Sequence, residues 1–430
     1  MEQINIIGQG VTDPHIRIFN DRAYLYASHD AAADSDRFVM RDWQVWSSDD
    51  LLDWQLESTL KPEETYIGKP IDGCWATDAV EKDGKYYWAF SEVDKPNDRH
   101  QIGMVVADSP VGPWKDVLGQ PLIHDRLVAT EVYDPCFFKD DDGTVYILFG
   151  VWDYYIAEMA DDMLSIKGKP VPLTVEKPEG PYGPGKTDDK VFLHKRDGLY
   201  YLSWGSYYAT SNNPTGPYRY RGCIVEPRLM EDRFRESTWP HGPTQGRHGS
   251  FFEWNGQWFF VYCEMCFSGN RYYRDFWISY VHYRENGEIE PIRINSMAVG
   301  AYDANAGPIA AADFLKGSHA TTYPLDGSGH AVLLKDGGHI DFPQIHGLDE
   351  RPMISIKLKA EGRHPVLMIE SVQGDPAEQQ SFFLDWVAGK DWQSVNTPLD
   401  FQLSDPIGLR LRSAGENGST IELQSIQFFK

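Results

Sequence analysis

Five short phrases in this chain set a carboxylate or a histidine at a similar distance ahead of an aromatic strand. Asp13, in Thr12-Asp13-Pro14-His15, stands eleven residues before Tyr24, and Asp134, in Tyr133-Asp134-Pro135, stands twelve before Tyr146. Asp78 lies eight before Tyr86, Asp189 eleven before Tyr200, and His248 ten before Trp258. A single aspartate at the head of a strand ordinarily bonds nearby backbone amides. Four at nearly one register, two of them followed by proline, point instead to side chains gathered in one place. Carboxyl groups that share a pocket divide their work by environment. One beside a cation stays ionised and serves as a base, and one that is buried or faces a like charge keeps its proton and serves as an acid.

The elements that would gather them are repeats. A turn carrying Asp or Asn, usually with Gly, precedes an aromatic strand at Asn20-Asp21, Asp83-Gly84, Asp142-Gly143, Asp197-Gly198 and Asn255-Gly256. Between markers Arg22, Gly84, Gly143, Gly198 and Gly256 the steps are 62, 59, 55 and 58 residues. Asp-Gly and Asn-Gly supply the positive φ of a tight hairpin, and aromatic and β-branched residues flank them. A second turn-plus-aromatic phrase ends at Trp54, Trp114 and Tyr218, which adds a second hairpin. Two hairpins at this period make a propeller blade. The chain therefore reads as all-β: a five-bladed β-propeller over residues 1–300, whose innermost strands bring the five phrases to one central channel. A run rich in Ala and Gly over 301–318 reads as a linker. Short alternating strands over 319–430 read as a β-sandwich, jelly-roll-like.

Composition agrees and excludes. The 430 residues carry 64 acidic and 40 basic side chains, a net charge of −24, which argues against nucleic acid and polyanionic partners. Aromatics reach 13%, enough to furnish sugar-stacking surfaces. No apolar run of membrane-spanning length occurs. The first residues lack the basic and apolar regions of a leader, and the five cysteines are scattered, so the expectation is a cytoplasmic protein, or a secreted or periplasmic one if a leader has been removed. Cys263 and Cys266 form a lone CxxC within a strand-like stretch, expected to be core packing.

With these phrases on the page, the chain resembles glycoside hydrolase family 43, five-bladed propeller enzymes acting on arabinose- and xylose-containing glycans. The resemblance rests on Val11-Thr-Asp-Pro-His15, Phe38-Val-Met-Arg-Asp-Trp43, Tyr133-Asp-Pro-Cys-Phe137, Leu193-His-Lys-Arg-Asp-Gly198 and His248-Gly-Ser-Phe-Phe-Glu-Trp254. It implies an inverting, exo-acting glycosidase that removes α-L-arabinofuranosyl or β-D-xylosyl groups from plant-type oligo- or polysaccharides. β-D-Galactofuranosidase and exo-β-1,3-galactanase activities occur on the same scaffold. Asp13 matches the base and Asp134 the aspartate that tunes the acid. The family's Glu-Gly-Pro acid falls by register on Asp189, while an actual Glu179-Gly-Pro lies ten residues earlier. Asp189 and Glu179 both stay open, with Glu264 a remote third. The resemblance places Arg274 against the sugar and His248 against a structural calcium ion or its water, with no cofactor required for the chemistry. Trp75, Asp78 and Tyr133 are candidate sugar contacts, Trp75 and Tyr133 offering an apolar wall. The last hundred residues resemble, more weakly, a family 6 carbohydrate-binding module through Lys390-Asp-Trp-Gln393 and Ile421–Phe428. The retaining invertase-type propellers carry Asn-Asp-Pro-Asn and Glu-Cys-Pro, which this sequence lacks. A sugar-binding propeller without catalysis is the alternative from another class.

Overall fold

The computed structural model describes residues 4–94, 99–236, 239–326, 329–348, 351–372, 379–399, 401, 405–416 and 418–430. Blade one runs outward from the axis as Val11–Phe19, Arg22–Asp30, Met40–Ser48 and Gln55–Leu60. Blade two contributes Cys74–Lys82, Lys85–Asp94 and Arg99–Ala107, and blade three Cys136–Lys139, Val145–Phe149, Tyr155–Glu158 and Val171–Pro172. Blade four holds Val191–Arg196, Leu199–Trp204, Tyr207–Ser211 and Tyr218–Cys223, with Val175–Glu176 added in parallel at its edge. Blade five is Gly249–Trp254, Gln257–Glu264 and Asp275–Val281. Apolar faces of successive blades pack on one another, as where Trp88 meets Tyr26 edge-on and Trp114 at 5.1 Å.

The first hairpin turns explain both the repeat and its irregularity. In blades two, four and five, two residues with positive φ (Asp83-Gly84, Asp197-Gly198, Asn255-Gly256) close the inner hairpin, the backbone that Asp/Asn-Gly adopts most readily. Asn20-Asp21 does the same in blade one. Blade three instead pairs Lys139 with Val145 across a longer turn.

Residues 301–318 are not a linker. Ala301–Asp303 pairs with Gln344–His346, Ile309–Ala310 pairs with Ser425–Ile426, and Lys316 already pairs with Asp341. Ala304, Ala311 and Ala312 are buried with Ile340 and Phe428 in the C-terminal core. Their small side chains serve close packing, not freedom. The C-terminal domain is one sheet curled around that core: the long strand His330–His346 pairs with Thr420–Phe429 along its first half and with Ile407–Ser413 along its second. It is fastened to blade five, where Gln257 Nε2 donates to the carbonyls of Ala312 (2.6 Å) and Phe314 (3.0 Å).

Candidate active site

The inner strands interlock around the axis, and the interlock sets their true register. The amide of Ile16 donates to Ser250 Oγ (3.0 Å), that of Phe137 to Asp78 Oδ2 (2.6 Å) and that of Leu193 to Cys136 Sγ (3.4 Å). Each of these three strands thus rests on a side chain of the preceding blade. These contacts put His15, Asp78, Cys136, Phe192 and Ser250 on one level of the channel. One level above stand Asp13, Ala76, Asp134, Lys190 and His248, and all five line a cavity of about 410 Å3 at the mouth. Asp13, Asp134 and Lys190 share a left-handed backbone, φ +48°, +56° and +66°. That conformation costs an L residue free energy, and such strain gathers at functional sites.

Two sequence assignments shift by this register. Asp78 lies below the pocket, fully buried, and does not line it. Its carboxylate is taken by Arg17 and the amides of Phe137 and Ala79, with His15 Nδ1 3.3 Å away. Burial raises its pKa, and Arg17 and His15 reverse this and hold it at about 2. It ties blades one, two and three together at the axis and is not placed to touch a sugar. In blade four the level of Asp13 belongs to Lys190, not Asp189. Counting back from an aromatic passes through turns of unequal length and through bulges, one between Thr12 and His15 and one between Trp75 and Thr77.

Asp13 is built to stay ionised. It is buried, 5% exposed, with its carboxylate held by Arg274 Nη1 at 2.8 Å and Ser28 Oγ at 2.6 Å. Burial raises its pKa, and Arg274, His248, Ser28 and Cys263 together overcome this and carry it well below the usual carboxylate range. Asp134 is equally buried but, among the described residues, accepts only the Lys190 amide, at 2.8 Å. Burial, reinforced by the charge of Asp13, pushes it up to about 7. One nitrogen, His248 Nδ1, spans the pair, 3.6 Å from Asp13 Oδ1 and 3.9 Å from Asp134 Oδ2. Burial drives the His248 pKa down to about 3, so the ring is neutral at pH 7.

Of the remaining acid candidates, Asp189 lines the pocket and is paired with Lys190 Nζ, which also reaches Asp188 at 3.0 Å. Glu179 does not reach the pocket. It opens the small hairpin Glu179–Gly180 with Gly183–Pro184, and its exposed carboxylate faces Tyr220 at 3.5 Å. Glu264 is sealed off, bonded to Arg247 and to the amides of Met265 and Cys266. Trp75 and Tyr133 both line the cavity, edge to face at 5.2 Å. Arg274 lines it too, but its donors are committed to Asp13 and to buried Asp30. It holds the Asp13 carboxylate in place.

A calcium ion takes six to eight oxygens. Around His248 the two carboxylates already bind Arg274 and the Lys190 amide, and the next level down offers His15 and Cys136. No group of three or more His, Cys, Asp or Glu among the described residues is arranged to hold a metal. His248 is placed as the polar neighbour of two carboxylates, and a calcium ion beside it would have to draw most of its oxygens from water.

Sequence reasoning missed Ser28, Asp30 and Cys263, the partners of Asp13 and Arg274. Their only sequence signal is position: Ser28 and Asp30 end the second strand of blade one, at the edge where Asp13 begins the first. It also missed Tyr182 and Trp239, which wall the pocket from two loops.

The profile of the glycosyl hydrolases family 43 matches residues 3–289. A xylosidase/arabinosidase of Bacteroides ovatus is 28% identical over 268 residues, 51% of this chain and 79% of that protein. A beta-xylosidase of Xylanibacter ruminicola is 27% identical over 333 residues, 66% of this chain and 97% of its own. Among solved structures, a beta-xylosidase/alpha-arabinofuranosidase from a compost metagenome, crystallised with xylotriose, superposes with a TM-score of 0.54 at 29% identity, covering 66% of this chain and 95% of that one. An arabinoxylan arabinofuranohydrolase of Bacillus subtilis covers the whole of this chain and 98% of its own at a TM-score of 0.56 and 18% identity, a likeness of fold that includes the C-terminal domain.

Proposed function

Because the chain belongs to the glycosyl hydrolases family 43, we propose that it removes terminal α-L-arabinofuranosyl or β-D-xylosyl groups from plant-type oligo- or polysaccharides with inversion. The observation that carries the reading is one pocket lined by Asp13, kept ionised by Arg274, by Asp134, pushed up to about 7, and by Asp189. Asp13 takes a proton from the water that attacks the anomeric carbon. Asp189 protonates the departing oxygen, which requires its ion pair with Lys190 to open and its carboxylate to take up a proton from solvent beforehand. Asp134 lends its charge or its proton between them, and neutral His248 keeps both carboxylates apart. Trp75 and Tyr133 supply the wall for the sugar ring. The names of the relatives, xylosidase, arabinosidase and beta-xylosidase, support the choice of sugars.

A second reading has Asp134 as the acid, favoured by its raised pKa and by the lysine that Asp189 carries. A panel of aryl arabinofuranosides and xylosides tests the activity. NMR of the first-formed sugar tests the stereochemistry: the opposite anomer is expected, and retention would overturn the mechanism.

A further inference from the structure

We propose, resting on that hydrolase reading, that Trp152 and Tyr182 form a second sugar subsite, which holds the leaving-group side of an oligosaccharide. The chain has 14 tryptophans, and Trp152 is the exposed one among the described residues, at 46%. Its backbone has φ +64°, where a bulky residue stands only if its surroundings impose it. Two bonds do so. The Trp152 amide donates to the carbonyl of Asp188 (3.2 Å), and Thr187 Oγ1 donates to the carbonyl of Trp152 (2.5 Å). The tip of this blade-three loop is therefore fastened to the segment that carries Asp189 and Lys190.

Tyr182, from the neighbouring loop, packs edge to face on Trp152 at 4.8 Å, and its hydroxyl accepts from Gln245 Nε2 at 3.0 Å. Tyr182 lines the catalytic pocket. With Trp152, Pro178 and Thr187 it also lines an adjoining cavity of about 560 Å3. The two spaces share one wall. An exposed indole in a strained backbone buries little for the fold, so it needs another return. Stacking on the C–H face of an uncharged sugar ring supplies one, and Asp153, Lys186 and Thr187 stand around the same cavity for its hydroxyls.

Direction selects the leaving group as the occupant. In an inverting enzyme the acid stands on the opposite side of the scissile bond from the base and its water. Asp13 belongs to blade one, whereas Asp134 and Asp189 enter from blades three and four. Whichever of the two is the acid, the leaving oxygen departs toward Trp152 and Tyr182.

The test compares wild type, Trp152→Ala and Trp152→Phe on two substrates of the same terminal sugar: a glycosyl fluoride, whose leaving group has no ring, and a tetrasaccharide. The ratio of kcat/KM for tetrasaccharide over fluoride is expected to fall about tenfold in Trp152→Ala, mostly through KM, and to stay within about threefold of wild type in Trp152→Phe. An active wild type whose ratio Trp152→Ala leaves unmoved overturns the subsite. A ratio that falls equally in both variants also overturns it, since the loop and not the ring would be responsible. A wild type that cleaves neither substrate, across arabinosyl and xylosyl donors, overturns the hydrolase reading on which it rests.

Discussion

The backbone amide of Asp13 donates to the sulfur of Cys263, 3.2 Å away, and the same thiol donates to Asp13 Oδ1 at 3.4 Å. Asp134 repeats half of this arrangement, its amide donating to Ser91 Oγ at 2.9 Å. Each left-handed aspartate is thus pinned by the middle strand of an adjacent blade. Cys263 is more than core packing: it fixes the peptide that aims the Asp13 carboxylate. Cys263→Ala should lower kcat about fivefold with little change in KM, since a hydrogen bond of this kind contributes about 1 kcal/mol. Cys263→Ser should restore most of it. Equal loss in both variants would mean that the thiol acts through volume alone.

Asp13→Asn should keep the fold, because asparagine tolerates the left-handed backbone and Arg274 retains Asp30. Turnover should drop about 10²–10⁴-fold, the usual cost of losing a general base. More than a tenth of wild-type kcat in this variant would remove Asp13 from the role.

The identity of the acid can be read from leaving groups. Asp189→Ala should slow natural glycosides at least 10²-fold yet spare dinitrophenyl glycosides to within about tenfold, because a good leaving group hardly needs a proton. Asp134→Asn should slow both. If Asp134→Asn instead shows the split, Asp134 is the acid. Glu179→Ala should show neither effect, since its carboxylate faces Tyr220 outside the pocket.

Asp134 also ties stability to pH. Its folded pKa, about 7, lies above its ordinary value of 3.8. Between these values the native state holds a proton that the unfolded chain releases, so the contribution of Asp134 to stability is full below about pH 4 and declines as pH rises to about 7. Asp134→Asn removes this dependence. Its melting temperature relative to wild type should therefore be higher at pH 8 than at pH 4.5. The same difference at both pH values would show that the carboxyl is not buried against Asp13 as described.

Much of this was legible in the sequence, and the failures have physical causes. That Asp13, Asp134 and His248 would meet in one pocket was legible because hairpin turns and alternating aromatics are local, and five copies fix one geometry. Asp78 and Asp189 were misplaced by one or two residues because bulges and turn lengths shift the count, while strand register is set by contacts between blades. Cys263 lies 250 residues from the aspartate it holds, and no local pattern carries such a pairing. The supposed linker misled because Ala and Gly look alike in a loose tether and in a tightly packed seam.

That seam has a consequence for how such a gene could be cut. A chain ended at residue 300 would strip blade five of three contacts. It would remove the carbonyls that take the Gln257 amide, the Lys316 ammonium lying over the Trp254 ring at 4.2 Å, and the Asp313 carboxylate bonded to His282 at 2.9 Å. All three groups belong to blade five, whose inner strand presents His248 to the pocket. The C-terminal domain is therefore a buttress for the active site, and shuffling it off as an exchangeable cassette would loosen the blade on which the carboxylates' neighbour depends.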